Sequence, residues 1–257
     1  MSTRAEIAGP PPFDPTRTVL APAGARVYAV GDIHGRKDLL DRLLGMILRD
    51  AQRSRAGRRL IVFLGDYVDR GGQSRAVVET LLAGPPSTPQ WAGFRWLCLK
   101  GNHEEAMLRF LDDLSIGPAW LANGGLETVE DYAGERGLDD SDLVGLQVRL
   151  RRSLPSRHAE FLAQLPLTHV EGDYLFVHAG IRPGVPWDAQ NPRDLMWIRG
   201  DFLSSNADHG KMVVHGHSIA KIPESRRNRI GIDTGAYASG RLTALVVEGA
   251  TRSFLST

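Results

Sequence analysis

Three glycine-bounded polar clusters hold the residues best suited to chemistry. "GDIHG" carries Asp32 and His34, "GDYVDRGG" carries Asp66, Asp69 and Arg70, and "GNHE" carries Asn102, His103 and Glu104. Further along, "FVHAG" ends an apolar run at His178, and "VVHGHS" contains His215 and His217. Carboxylates, imidazoles and an amide oxygen together suit Mn²⁺, Fe or Zn²⁺, whereas an all-oxygen set would favour Mg²⁺ or Ca²⁺. The one cysteine, Cys98, leaves no thiolate set for a closed structural zinc site and no redox pair. Within "RWLCLKGNHE" it is expected to fill core.

Spacing refines these assignments. Asp32 and His34 are two apart, so on an extended backbone both face one side and can hold a single ion between them. Asn102 and His103 are adjacent at a strand-to-helix turn, where neighbouring side chains diverge, so one can ligate metal while the other faces substrate. Glu104 and Glu105 stand where a first helical turn favours acids, and that structural role is the expectation for both. His215 either lines the metal pocket or supports it. His158, His169 and His209 lie in polar stretches and read as surface or structural residues. Arg70 and Arg199 offer guanidinium forks matched to phosphate oxygens, while Arg36 opens an arginine-rich amphipathic helix and is more simply a helix-surface residue.

The elements that must position these residues are legible from periodicity. "ARVYAV", "RRLIVFL" and "FRWLCL" are short apolar runs expected as strands, each followed by one of the polar clusters. Between and after them come helical patterns. Residues 36–54 place Leu39, Leu40, Leu43, Leu44, Ile47 and Leu48 on one stripe, "SRAVVETLLAG" is stopped by Gly84 and two prolines, and "EEAMLRFL" opens a third helix. This alternation predicts a mostly parallel sheet covered by helices, with the site beyond the strands' C-terminal ends. Residues 1–24 read as an irregular lead-in and 25–257 as one domain, with a mainly helical insert at about 112–168. The back half, rich in short strands and tight turns, suggests a second, more mixed sheet packed on the first.

Composition excludes some classes. The 257 residues, 42% hydrophobic, suit one large core, and a formal charge of +1 gives no affinity argument for nucleic acid. No apolar run approaches the roughly 18–20 residues a membrane span needs, and the N-terminal stretch lacks the apolar core of a secretion signal. The lone cysteine fits a reducing compartment, so a soluble cytoplasmic protein is expected.

The series "GDIHG…GDYVDRG…GNHE", followed by "HAG" and "GHS", resembles the phosphoprotein phosphatase family of calcineurin-like metallophosphoesterases over about residues 26–248. The pieces "LMWIRGDF", "VVHGHSI" and "IDTGAYASGRLTALVVE" resemble its compact bacterial and phage-type serine/threonine phosphatases. The resemblance implies an α/β fold: an αββα sandwich of two mixed β-sheets flanked by helices, with two divalent ions, foremost Mn²⁺, at its edge. It implies Asp32, His34 and Asp66 around one ion, and Asp66, Asn102, His178 and His217 around the other, with Asp66 bridging. It further implies a hydroxide between the ions as nucleophile. His103 would be the acid for the leaving group, held by Asp69, and Arg70 and Arg199 would orient the phosphoryl oxygens. Ser218 stands where related sequences often have threonine.

The activity so implied is hydrolysis of phosphoserine and phosphothreonine in a protein or peptide, or of a small phosphoester, with no obligate partner. The rival is hydrolysis of a diadenosine polyphosphate on the same centre. A closed pocket with an aromatic stacking surface would favour the dinucleotide, and an open groove the peptide. Trp187, Trp197 and Tyr237 are the candidate aromatics, with core packing as the plainer expectation for each. A catalytically silent binding module would be expected to lack a ligand or the acid, and none is missing.

Overall fold

The computed structural model describes residues 18–257, so most of the expected lead-in, residues 1–17, lies outside the described residues. Residues 18–24 form neither helix nor strand. The first half follows the expected alternation: β1 (Ala25–Val30), α1 (Lys37–Ala51), β2 (Arg58–Phe63), α2 (Ser74–Ala83), β3 (Phe94–Cys98) and α3 (Asn102–Phe110). The helix α3 begins two residues before the acidic run, so Asn102 and His103 form its first turn and do not precede it. From there to the next strand the chain is helical: α4 (Gly117–Trp120), α5 (Leu126–Ala133), α6 (Leu143–Ser153) and α7 (Ser156–Gln164).

The strands β4 (Thr168–Glu171) and β5 (Tyr174–Val177) form an antiparallel hairpin. After it come α8 (Pro192–Trp197), α9 (Gly200–Leu203), β6 (Met212–His215), β7 (Glu224–Ser225), β8 (Arg229–Gly231), α10 (Ala236–Ser239), β9 (Thr243–Glu248) and β10 (Thr251–Ser256). One sheet has the order β10-β9-β1-β2-β3 and the other β4-β5-β6-β8-β7, and both mix parallel with antiparallel pairs. The second mixed sheet is present, but the back half does not all enter it. The β9–β10 hairpin crosses to the first sheet, where β9 lies antiparallel to β1.

Strand alternation explains the layering. Val27, Ala29, Leu60 and Val62 point from the first sheet toward Tyr174, Phe176, Val214 and Ile230 of the second, and together they form the inter-sheet core. Tyr28, Val30, Ile61 and Phe63 point the other way, onto the apolar stripe of α1 and the helices α2, α3 and α5–α7. On the outer face of the second sheet, Leu175, Val177 and Val213 pack against Leu195 of α8, Phe202 of α9 and Ile198 between them. The result is the αββα sandwich. Both faces of the central strands are buried, which is why they read as continuous apolar runs. Cys98 is buried, as expected of a core residue. Among the described residues, no helix is long and apolar enough to cross a membrane.

Candidate metal centre

The C-terminal ends of β1, β2, β3, β5, β6 and β8 converge on one edge of the sandwich and deliver Asp32, Asp66, Asn102, His178, His217 and Asp233 in turn. The loops there turn sharply. His34, Asp66, Asp69, Arg70 and His217 all have positive φ, between 47° and 73°. Backbone in that region disfavours side chains and persists only where its surroundings hold it. One such support is the contact of Gly35 with Gly71: a Cβ on Gly35 would meet the Gly71 carbonyl oxygen at 2.3 Å. The glycines of "GDIHG" and "DRGG" therefore let two site loops touch backbone to backbone.

Two side-chain clusters share Asp66: His34, Asp66 and His103 on one side, and Asp66, His178 and His217 on the other, all buried. Asp66 Oδ2 lies 3.7 Å from His34 Nε2, 3.3 Å from His178 Nε2 and 3.8 Å from His103 Nε2. Asn102 Oδ1 lies 2.9 Å from His178 Nε2. The first cluster contains His103 where the family resemblance implies Asp32. Asp32 lines the same cavity, but both its carboxylate oxygens are turned to the backbone N–H of His217, at 3.2 and 3.0 Å.

The donor set suits a divalent cation. His34 Nδ1–H donates to the Val68 carbonyl and His178 Nδ1–H to the Leu64 carbonyl, each at 2.9 Å. With Nδ1 so engaged, each ring, once neutral, presents an Nε2 lone pair toward Asp66, the usual arrangement of a metal-binding histidine. His217 turns its Nδ1 to within 3.2 Å of His178 Nε2, a close approach of two ring nitrogens that a shared cation would satisfy.

The electrostatics agree. Burial, together with the charges of Asp233 and Asp66, pushes the Asp32 carboxyl well above the carboxylate range. Burial would raise Asp66 too, but His178, His103 and His34 outweigh it and hold it well below that range. Burial takes His34 down to about 3 and His217 to about 2, the latter helped by His178 and Arg199. Burial also opposes charge on His178, yet Asp66 and Asp32 leave it at about 9. Buried carboxylates that crowd one another beside a neutral His34 and His217 can take more positive charge than His178 and His103 provide, and two divalent ions would supply it.

His103 faces the same space and has its own support. Its Nδ1–H donates to Asp69 Oδ2 at 2.6 Å. That carboxylate also accepts from Trp120 Nε1 at 2.7 Å and Thr128 Oγ1 at 2.7 Å. Burial works against protonating His103, but Asp66 and Asp69 prevail and raise its pKa. Arg70 is half-buried; its guanidinium donates to His34 Nε2 at 3.0 Å and His103 Nε2 at 3.3 Å, and it lies 4.5 Å from the centre of the Tyr237 ring. A Cβ on Gly124, which has φ 97°, would come within 2.6 Å of the Arg70 backbone nitrogen, so only glycine lets the α4–α5 turn pack on this loop. Arg199 is exposed at the cavity mouth.

Several residues had duties that spacing did not reveal. Glu104 is more than a favourable charge at a helix start. It is fully buried, and its carboxylate accepts the backbone N–H groups of Asp66, Tyr67 and Gly101 at 2.7–2.9 Å. Glu105 lines the cavity and accepts the Trp197 indole N–H at 2.9 Å. Asp233, in "GIDTG", is buried near Asp32; an acid at a strand end, two residues before a glycine, is the signal in the sequence.

The remaining candidates sort plainly. Arg36 is taken up by a two-pronged contact to Asp38 and a bond to the Ala236 carbonyl. His215 is buried against Phe202 with Nδ1 donating to the Gly216 carbonyl, a supporting position behind the pocket. His158 is buried between Tyr132 and Glu79, His169 pairs with Glu171, and His209 meets Asn228. Trp187 is partly buried against the outer core and does not border the cavity, whereas Trp197 does, with 44% of its surface exposed.

A two-cluster site of this kind, at the strand ends of an αββα sandwich, is that of a metal-dependent phosphoesterase. The Calcineurin-like phosphoesterase family model matches residues 25–238, and the chain belongs to that family, whose members use a dinuclear divalent metal centre. Over 238 residues it is 26% identical to an asymmetrical bis(5'-nucleosyl)-tetraphosphatase of Anoxybacillus flavithermus, covering 84% of this chain and 88% of that one. It is 31% identical over 168 residues to a symmetrical bis(5'-nucleosyl)-tetraphosphatase of Dechloromonas aromatica, covering 65% of this chain and 48% of that one. Among solved structures, one proposed to be a diadenosine tetraphosphatase superposes with a TM-score of 0.61 at 23% identity, covering 97% of this chain and 98% of that chain. A cold-active protein-tyrosine phosphatase of a Shewanella species superposes at 0.54 with 18% identity, covering 90% and 80%. These structural likenesses speak for the fold.

Proposed function

We propose that this chain is a metal-dependent hydrolase of a dinucleoside polyphosphate. The observation that carries the reading is the cavity of about 340 Å³ over the candidate metal ligands. Ala106, Ile116, Ala119 and the exposed indole of Trp197 border the same space as Asp66 and Asn102. Apolar walls and an aromatic face suit a nucleoside base beside the reacting phosphate. Relatives named as bis(5'-nucleosyl)-tetraphosphatases over most of the chain support it.

In this reading, Asp32, His34 and Asp66 would hold one ion, and Asp66, Asn102, His178 and His217 would hold the other. Two such ions, which the mixed nitrogen and oxygen donors allow to be Mn²⁺, Fe or Zn²⁺, would activate water and offset charge on the phosphoryl group. Arg70 and Arg199 bind its non-bridging oxygens. Arg70 would exchange its contacts with the two imidazoles for the phosphate. His103, protonated and steadied by Asp69, delivers a proton to the departing oxygen.

The serine/threonine-phosphatase reading uses the same residues. The unbroken "GDYVDRG" favours it, as do exposed Ile219 and Ile222, the former packed on Gly235 near Tyr237, which offer an apolar rim to a peptide. A parallel turnover assay separates the two. After chelation and Mn²⁺ reloading, the protein is given diadenosine tetraphosphate, a phosphoserine peptide and an aryl phosphate, with Asp66→Asn as the blank. Turnover of the peptide without the dinucleotide would overturn the dinucleotide reading, and metal-independent turnover would overturn both.

A further inference from the structure

A second cavity, of about 420 Å³, lies on the far side of Trp197 and shares Trp197 and Arg199 with the first. The indole stands between the two, pinned by its bond to Glu105. A monoester phosphate bound at the candidate metal centre would have no use for this second space. A chain of phosphates would.

The charges in it are unevenly spent. Its two acids, Asp194 and Asp201, are both engaged by Arg182, which donates twice to Asp194 at 2.7 Å and once to Asp201 at 3.0 Å. Arg193 and Arg199 also line the cavity, both exposed, and among the described residues neither makes a side-chain hydrogen bond or ion pair. Arg193 opens the last turns before Trp197, and Arg199 follows it by two, so the two guanidiniums bracket the indole in sequence. Two exposed planar forks in one pocket that hydrogen-bond to no acid, where Arg182 already engages both carboxylates, select a polyanion over a base or an apolar group.

We infer that this cavity seats the distal phosphates of the substrate's polyphosphate chain, which leaves the metal centre past Arg199 and reaches Arg193 beyond the Trp197 indole. The inference rests on the dinucleoside polyphosphate reading and names the part of the site that would measure chain length. Arg199 serves the reacting phosphate and the next, and Arg193 serves only those further out.

The test uses inorganic tripolyphosphate and orthophosphate as probes of the Mn²⁺-loaded protein. Each is assayed as an inhibitor of aryl phosphate turnover and by calorimetric binding, with the same Mn²⁺ excess for every variant so that chelation cancels. The unsubstituted protein should bind tripolyphosphate more tightly than orthophosphate. Arg193→Gln should weaken tripolyphosphate about tenfold, as expected for losing one charge-assisted hydrogen bond, while moving orthophosphate much less. Arg193→Lys should recover part of the loss. Equal binding of the two anions by the unsubstituted protein, or an equal loss of both in Arg193→Gln, would overturn the inference. Absence of diadenosine tetraphosphate turnover in the unsubstituted protein would instead overturn the substrate reading, and that result is independent of the Arg193 comparison.

Discussion

His103 Nδ1 and Asp69 Oδ2 lie 2.6 Å apart, and the same carboxylate is held from behind by the Trp120 indole and the Thr128 hydroxyl. Asp69 and Asp66 are three residues apart in one loop, yet Asp69 takes no part in either cluster around Asp66. The two aspartates are thus expected to fail differently. Asp66→Asn should lose metal from both clusters. Asp69→Asn should keep its metal while turnover falls about 10- to 100-fold, as for other residues that orient a working group. Metal analysis of the two purified variants checks this, and equal metal loss would dissolve the distinction.

Replacing His103 by Asn should cost most where the leaving oxygen most needs a proton. The expected loss is about 10²–10⁴-fold on an alkyl phosphate, the usual range for a general acid. It should be clearly smaller on an aryl phosphate with an acidic phenol, and a phosphoanhydride should fall nearer the aryl case. Steady-state kinetics on the three substrates checks the order. Equal losses would remove His103 from the acid's role.

Glu104→Gln keeps the side chain's shape but turns an N–H donor toward backbone donors of the Asp66 loop and Gly101. The unmet contacts should cost about 1–3 kcal/mol of stability, the penalty for buried groups left unsatisfied. Because Asp66 hangs from that loop, Mn²⁺ affinity should fall as well. Urea unfolding of the metal-free protein and metal titration read the two effects separately. Unchanged stability would show that the clamp is dispensable.

Metal uptake should strengthen as pH rises from about neutral. His178 is raised from its ordinary 6.5 to about 9, burial being outweighed by Asp66 and Asp32, so across that window the metal-free protein holds a proton that ligation must displace. The sign for folding is opposite. The contribution of the charged imidazole to metal-free stability is fully present below 6.5 and is lost as pH rises through about 9. Calorimetry of Mn²⁺ binding in buffers of different ionisation enthalpy should detect the released proton. Affinity that weakens as pH rises from 7 to 9 would contradict the assignment.

Much of the scaffold is legible in the sequence because its signals are local. The stripe Leu39–Leu40–Leu43–Leu44–Ile47 sets one helix face, and the apolar runs at β1, β2 and β3 each end at a glycine followed by Asp32, Asp66 or Asn102. Those rules alone carry Asp32, Asp66 and Asn102 to one edge of a parallel sheet. They do not say what lies behind each residue. Thr128 reaches Asp69 across 59 residues of chain, and Glu104 reaches the Asp66 loop across 38. The β9–β10 hairpin joined the first sheet although its sequence neighbours built the second. Such partners are chosen by which buried surfaces and unpaired backbone groups meet once the layers close. The sequence by itself determined which residue types stand at the strand ends. Only the tertiary structure decided that Asp66 sits between two clusters, that Asp69 turns away to His103, and that Trp197 divides one cavity from another.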